Sequence, residues 1–129
     1  MKVEIYFDVV CPWCYIGERR FLRALEATGA NDEEVVFRPF QLDPGAPLES
    51  RPIAEYLERR FGAMATSMQG RVAQFAAGEG IRIDWTRARM ANTLRAHQLV
   101  RLAQPGYAAE VQLALVEGLF RAHFEEGGD

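Results

Sequence analysis

Two cysteines separated by two residues are the side chains of this sequence best suited to chemistry. Cys11 and Cys14 flank Pro12 and Trp13 in the stretch DVVCPWCYIG, and the whole chain contains no other cysteine. Such a pair can exchange disulfides, supply half of a metal site, or form a structural cross-link. The residues around the pair indicate which of these uses is favoured.

The rest of the sequence gives little support to a zinc site. Structural zinc takes four ligands, usually two cysteine pairs or one pair with closely spaced histidines. The two histidines, His97 and His123, lie 26 positions apart on different predicted helices. A permanent cross-link is also disfavoured, because so short a loop gains little from closure and cytoplasmic thiols are kept reduced. We therefore predict no metal and interpret the pair as redox-active.

The pair lies where a predicted strand changes into a predicted helix. Free N–H groups and the positive dipole at the helix start would stabilise a thiolate at Cys11. Pro12 suits the first helical position, because its missing N–H costs nothing there. Cys14, one turn further in, suits a thiol that resolves a mixed disulfide, and Trp13 offers an apolar face beside the reacting sulfur.

The pattern of apolar residues predicts an α/β chain that begins with one βαβ unit at residues 1–42. Val3–Val10 is typical of a strand, and the segment from Pro12 to Gly29 is typical of a helix. Glu34–Leu42 is predicted as a second strand, placed at a sheet edge or a bulge by Pro39. A strand, a helix and a strand in this order predict a parallel pair.

A turn-rich linker at residues 43–52 leads to a region, residues 53–129, that is predicted to be all helical. Helices are expected over Ile53–Phe61 and Met64–Ala77. The second of these has an apolar face composed of Met64, Met68, Val72 and Phe75.

The stretch GEGIRIDW is predicted as a loop with a short extended piece at Ile81–Ile83. The next helix starts either near Arg87 or with Asn92 as its N-cap. It ends near Ala103, before Pro105-Gly106, and a last helix spans about Tyr107 to Phe124.

Composition and charge exclude several classes of function. The net charge of the 129 residues is −3 and the arginines are scattered along the chain, so no nucleic-acid partner is expected. No apolar run approaches the roughly 20 residues of a membrane span, so no membrane partner is expected either. The N-terminus lacks the apolar stretch and cleavage site of a signal peptide, which predicts a cytoplasmic location.

Several separated segments together resemble one known family. DVVCPWCYIG, FRPFQLDP, NTLRAHQL and LFRAHFEEG are similar to segments of the DsbA family of thioredoxin-fold proteins, and within it to the cytoplasmic FrnE-like branch. The resemblance implies a thioredoxin-like βαβ half with an all-helical insertion. It also implies thiol-disulfide oxidoreductase activity, with Cys11 as the nucleophile and Cys14 as the resolving thiol.

Compared with that family, the sequence lacks the second half of the fold. The family continues into further strands and a cis-proline loop facing the cysteines, whereas none of the six prolines here precedes a strand after the insertion. Independently, two strands are too few for a stable sheet. We therefore expect the fold to be incomplete as given, with the chain either truncated or paired as a homodimer through its uncovered sheet edge.

Further residues are expected to contact substrate, with less support from the sequence itself. Pro12 and Trp13 are predicted at the site with the cysteines that they separate, and Pro39, Phe40, Asn92 and His97 are predicted there because they lie in segments that match the family. The alternatives are a helix cap for Asn92 and a half-buried helix-face residue for His97. Asp8 is interpreted either as an ordinary strand-end residue or as a group that exchanges a proton with Cys14.

The sequence therefore predicts an enzyme that acts on protein or small-molecule disulfides through Cys11 and Cys14, without a metal or an organic cofactor. Glutathione is a candidate redox partner. One alternative is a glutathione-dependent enzyme of the kappa-class transferase or 2-hydroxychromene-2-carboxylate isomerase type, although those relatives typically carry serine at the position of Cys11. Another alternative is a redox-sensing interaction module without enzymatic activity.

Overall fold

A computed structural model describes residues 1–30, 33–104 and 108–128. The first part of the chain forms β1 (Lys2–Phe7), α1 (Pro12–Thr28) and β2 (Glu34–Pro39). The remainder forms β3 (Arg51–Pro52), α2 (Ile53–Phe61), a 3₁₀ turn (Gly62–Met64), α3 (Ala65–Ala77), β4 (Arg89–Met90), α4 (Leu94–Leu102) and α5 (Ala109–Phe124).

The predicted βαβ unit is confirmed, with β1 and β2 paired in parallel from Lys2 opposite Glu34 to Phe7 opposite Pro39. Both strands are shorter than predicted. After Phe7 the chain turns, because the Cys11 N–H bonds back to the Asp8 carbonyl at 3.1 Å. The second strand ends at Pro39 rather than Leu42, in keeping with a residue that has no N–H to extend the ladder.

Both ends of α1 follow the local signals in the sequence. Pro12 occupies the first helical turn, and Gly29 ends the helix in the left-handed conformation with φ of 69°. The Ala30 N–H then bonds to the Leu25 carbonyl at 3.0 Å, which satisfies one of the last helical carbonyls. This helix therefore begins directly after Cys11, as the sequence predicted.

The predicted helix over Ile53–Phe61 is confirmed, and its successor begins one residue later than expected. The predicted apolar face of that successor is wrong in part. Met64 is exposed because it belongs to the 3₁₀ turn, and Phe75 is also partly exposed. The buried face of α3 consists of Ala65, Val72 and Ala76.

A short antiparallel ribbon was missed by the sequence analysis. Residues 51–52 of β3 pair with residues 89–90 of β4, and Arg89 donates to the Ser50 hydroxyl at 2.6 Å. The extended piece expected at Ile81–Ile83 is not assigned as a strand. Each strand of this ribbon has only two residues, and Pro52 pairs with Arg89, 37 positions further along the chain. So short a pairing leaves no periodic pattern in the sequence.

The last two helices largely match expectation. Helix α4 starts at Leu94 after Thr93, near the Asn92 alternative and away from Arg87. Helix α5 starts at Ala109, whereas the predicted start at Tyr107 and the break at Pro105-Gly106 lie outside the described residues.

Aromatic rings join the βαβ unit to α5. Phe7 on β1 makes edge-to-face contacts with Phe37 on β2 and Phe120 on α5, with ring centres 5.6 Å apart in both pairs. Tyr15 on α1 stacks on Phe120 with ring centres 4.9 Å apart. All four side chains are fully buried, so the N-terminal unit and the last helix share one core.

The outer edge of β2 is closed by two glutamine side chains. Gln112 of α5 accepts the Phe37 N–H at 3.0 Å, and Gln104 donates to the Phe37 carbonyl at 2.7 Å. The second edge of β1 has no strand partner within the described part of the chain. None of the described helices is long and apolar enough to cross a membrane.

Candidate active site

Cys11 is the N-cap residue of α1, in an extended conformation with φ of −93° and ψ of 108°. Its carbonyl accepts the N–H groups of Cys14 at 3.1 Å and Tyr15 at 3.4 Å, which closes the first helical turn. Both cysteines are free thiols of intermediate exposure, and Cys14 packs against the buried core. The structure therefore places the two sulfurs at the helix start, with Cys14 on the inner side.

The two thiols differ in acidity. A hydrogen bond from the Cys14 thiol is the main cause of a lowered pKa at Cys11, and the backbone N–H groups of Cys14 and Trp13 lower it further. Burial and the Asp8 charge oppose this effect, and the resulting Cys11 pKa is about 7. The same hydrogen bond, together with burial, raises the pKa of Cys14 far above its usual range. Cys11 is thus the more acidic of the two thiols, and Cys14 holds its proton more tightly.

An apolar cavity of about 340 Å³ opens beside Cys11. Its floor and walls come from the loop before α1, from α2 and α3, and from the segments around residues 42, 85 and 90. Arg60 is the one charged residue among the described residues that line it. The apolar side chains that line this cavity together with Cys11 include Leu42, Ile53, Leu57, Met68, Val72 and Trp85.

Trp13 forms part of the rim of this cavity. Its side chain is 47% exposed, and its ring lies 5.4 Å from that of Phe75 on α3. The Arg20 guanidinium lies 5.5 Å from the centre of the Phe75 ring on the same surface. Trp13 and Phe75 therefore form an aromatic surface beside the cavity that Cys11 lines.

The other predicted site residues lie away from this cavity. Pro39 and His97 line a separate cavity beside α4, and His97 is 4% exposed with its ring on Asp8. Phe40 is exposed and is not among the residues that line the cavity next to Cys11.

Asn92 has the structural contacts expected of a cap. Its Oδ1 accepts the Leu94 N–H at 3.0 Å, and its Nδ2 donates to the Ala46 carbonyl at 2.7 Å. Thr93 is nevertheless the N-cap residue itself. Asn92 therefore joins the start of α4 to the segment after β2.

Several residues of the site were missed from the sequence. Leu42, Ile53, Tyr56, Trp85 and Met90 line the cavity although four separate segments supply them. Among these residues, only Trp85 had a local feature that could have indicated a site, because it is an aromatic residue in a predicted loop. Met68, predicted on the apolar face of the second helix of the region 53–129, lies half-buried in the cavity wall.

Within residues 1–30, 33–104 and 108–128, no group of three or more His, Cys, Asp or Glu side chains could hold a metal ion.

A βαβ unit with a dithiol at the start of its helix defines the chain as a thioredoxin-type dithiol protein. The profile of the DSBA-like thioredoxin domain matches residues 2–129, and the chain belongs to that family. This bears out the resemblance to the DsbA family and the thioredoxin-like fold class predicted from the sequence.

Two relatives give the comparison more detail. A crystal structure of a probable DsbA oxidoreductase from Streptomyces coelicolor is 33% identical, with a TM-score of 0.85 over 96% of this chain and 54% of that chain. The uncharacterized protein YwbO of Bacillus subtilis is 32% identical over 53 residues, which are 41% of this chain and 25% of that protein. The chain thus spans about half the length of the solved structure it matches.

Proposed function

We propose that this chain is a thiol-disulfide oxidoreductase that works through Cys11 and Cys14. The observation that carries the proposal is the position of two free thiols, Cys11 at the N-cap of α1 and Cys14 one turn further along, beside an apolar cavity. Cys11 has its pKa lowered to about 7, while the Cys14 pKa is raised. Membership of the DsbA-like family and the likeness to a probable DsbA oxidoreductase support the same chemistry.

The reaction follows from the positions of the two sulfurs. The Cys11 thiolate attacks one sulfur of a substrate disulfide, a new S–S bond forms, and the other substrate sulfur leaves with the electron pair. Cys14 then loses its proton and attacks the Cys11 sulfur, which releases the second substrate sulfur as a thiolate. The substrate gains two electrons and the Cys11–Cys14 pair is oxidised; the reverse sequence oxidises a substrate dithiol.

The cavity beside Cys11 favours disulfides with apolar neighbours. Its lining is mostly aliphatic and aromatic, and Trp13 extends it toward solvent. An apolar protein segment next to a disulfide, or an apolar small-molecule disulfide, gains by burial there. The mechanism itself requires no metal or organic cofactor, and glutathione stays a candidate redox partner.

Several finer expectations remain predictions. They are the FrnE-like branch, the cytoplasmic location, the division at residues 42 and 52, and a homodimer through the open edge of β1.

The glutathione-dependent alternative also remains. It predicts a saturable change in Trp13 fluorescence during a titration with glutathione, and no such change would count against it.

Reduction of insulin disulfides tests the proposal directly. The parent chain is expected to accelerate precipitation of the insulin B chain in the presence of a dithiol reductant, and Cys11→Ser is expected to abolish the acceleration. Cys14→Ser should instead accumulate a mixed disulfide with insulin that is visible by intact mass. Equal rates for the parent and Cys11→Ser would support the non-enzymatic module and contradict the proposal.

A further inference from the structure

The cavity beside Cys11 contains a positive charge that the exchange reaction described above does not use. Arg60 lies in the last turn of α2 and is the one charged residue among the described residues that line this cavity. No aspartate or glutamate of the described part of the chain lines the cavity with it. A guanidinium thus borders the space that Cys11 also borders, and no carboxylate of the described lining balances its charge.

Arg60 has no ion pair outside the cavity either, within the residues that the structure describes. Its side chain is exposed, and the contact that its guanidinium makes is with the ring of Phe61, whose centre lies 5.8 Å away. The preceding residue differs, because Nη2 of Arg59 lies 3.5 Å from a carboxylate oxygen of Glu55. Both arginines suit the C-terminal end of a helix, where the last carbonyl groups carry partial negative charge. Of the two, only Arg60 lines the cavity, and its charge is available to a molecule bound there.

Two further polar side chains of the cavity lining can donate hydrogen bonds. Tyr56 and Gln69 are half-buried, and neither side chain makes a hydrogen bond to another described residue. A guanidinium only donates, while a phenol and an amide can donate as well as accept. The polar part of the lining therefore suits a ligand that carries acceptor oxygens and a negative charge.

The volume and the walls of the cavity define the rest of such a ligand. A cavity of about 340 Å³ is of the size that small molecules or single side chains occupy. Its apolar walls favour an aliphatic or aromatic body, and the planar guanidinium suits a carboxylate. Because Cys11 and Arg60 line the same cavity, one molecule bound there can present a disulfide to the first residue and a carboxylate to the second.

We infer that Arg60 makes this protein selective for acidic disulfides, in which a carboxylate and an apolar or aromatic body lie next to the S–S bond. The inference rests on the proposed function and names the substrate class of the same site. Arg60 binds the carboxylate and takes no part in the transfer of electrons. The substrate S–S bond gains two electrons and leaves as two thiolates, while Cys11 and Cys14 lose their protons and form a disulfide.

Two small aromatic disulfides that differ in charge test the inference. Dithiobis(nitrobenzoate) carries a carboxylate on each ring, whereas dithiodipyridine is uncharged at neutral pH, and both release a coloured product when reduced. Stopped-flow absorbance gives the second-order rate constant of each reagent with the reduced parent chain and with Arg60→Gln. We expect Arg60→Gln to react about three- to fivefold more slowly with dithiobis(nitrobenzoate), the size of effect of an ion pair open to solvent, and equally fast with dithiodipyridine. Comparing the parent with the variant for each reagent cancels the difference between the leaving groups.

Arg59→Gln is the matched control, because it removes the same charge one position earlier on α2 and Arg59 does not line the cavity. It should leave both rate constants unchanged. Arg60→Lys keeps the charge and should recover part of the rate with dithiobis(nitrobenzoate). The loss in Arg60→Gln should also shrink as salt is added, because salt screens charges that are exposed to solvent.

Peptide disulfides distinguish the two sources from which this chemistry could come. A peptide with leucine and glutamate beside its disulfide is compared with the same peptide carrying glutamine in place of glutamate. A preference for the glutamate peptide that Arg60→Gln removes would support the inference with a protein segment as the source. A preference confined to the aromatic reagents would support it with a small molecule as the source.

Equal losses with the two aromatic reagents, equal losses in Arg59→Gln and Arg60→Gln, or no loss in Arg60→Gln would each overturn the inference. The exposed position of Arg60 favours a folded variant, and circular dichroism verifies this. None of these results changes the outcome of the insulin assay with Cys11→Ser. Failure of the inference is therefore distinguishable from failure of the proposed function.

Discussion

Cys14 donates its thiol proton in a hydrogen bond to the sulfur of Cys11, one helical turn away, and this contact is the largest influence on the acidity of both residues. It favours the anion at Cys11 and opposes the anion at Cys14. The backbone N–H groups of Trp13 and Cys14 at the helix start also lower the pKa of Cys11. The difference in acidity between the two thiols thus follows from their positions along one turn of α1.

Removal of the Cys14 donor should make Cys11 less acidic. Cys14→Ala is expected to raise the Cys11 pKa by about 1–2 units, because a hydrogen bond to a charged group contributes roughly 1.5–3 kcal/mol. Cys14→Ser keeps a hydroxyl donor and should raise it less. Thiolate absorbance measures both, and equal shifts in the two variants would show that the hydrogen bond is not the cause.

Filling the cavity should weaken substrate capture without changing the thiol. Met68→Trp places a larger ring among the lining residues, and we expect kcat/KM for an apolar disulfide substrate to fall about tenfold, mostly through KM. The rate at which iodoacetamide alkylates Cys11 should stay the same. Met64→Trp, on the exposed 3₁₀ turn, is the control. Equal losses in both variants would argue against the cavity as the substrate site.

Glu18 should make the protein less stable at alkaline pH. Its side chain is 1% exposed, and neither oxygen has a hydrogen-bond partner among the described residues, although Arg19 Nε lies 4.0 Å away. Burial, followed by the charge of Glu117, raises its pKa from 4.5 to about 7. The folded chain binds this proton more tightly than the unfolded chain. The stabilisation is therefore fully present below pH 4.5 and is lost as the pH rises through about 7.

Glu18→Gln should accordingly increase the free energy of unfolding at pH 8 by an amount on the order of 2 kcal/mol, and change it much less at pH 5. Urea unfolding at the two pH values measures the difference. Glu26→Gln, at an exposed position of the same helix, is the control. A variant that gains equally at both pH values would show that packing rather than charge is responsible.

The glutamine at the edge of β2 should contribute to stability. Gln112→Leu leaves the buried Phe37 N–H without its acceptor, which costs about 1–3 kcal/mol of unfolding free energy. Gln74→Leu, at an exposed position of α3, serves as the control and should cost little. Urea unfolding distinguishes the two; a loss below about 0.5 kcal/mol for Gln112→Leu would mean that another group satisfies Phe37.

The parts of the fold that could be predicted are those with local signals. Pro12 and Gly29 mark the ends of α1, and the apolar spacing in residues 53–61 marks α2. The two-residue ribbon of β3 and β4 could not be predicted, because so short a pairing has no period. The buried face of α3 was misjudged because Met64 precedes the helix proper.

Among the site residues, too, only those with local signals could be predicted. Cys11 and Cys14 were predicted because helix geometry alone brings residues three positions apart together. The contact of Asp8 with His97 spans 89 positions, and the cavity draws its walls from separate elements. Such contacts depend on how α2, α3 and α4 pack around the βαβ unit. Periodicity within a single element carries no information about that packing.

The pH dependence of alkylation at Cys11 tests the central claim most directly. The reduced chain is exposed to limiting iodoacetamide between pH 5 and 10, and modification of each cysteine is counted by peptide mass. The account predicts that Cys11 reacts first and that its rate rises with a midpoint near pH 7, while Cys14 stays largely unmodified. A Cys11 midpoint near pH 9, or modification of both thiols at similar rates, would contradict it.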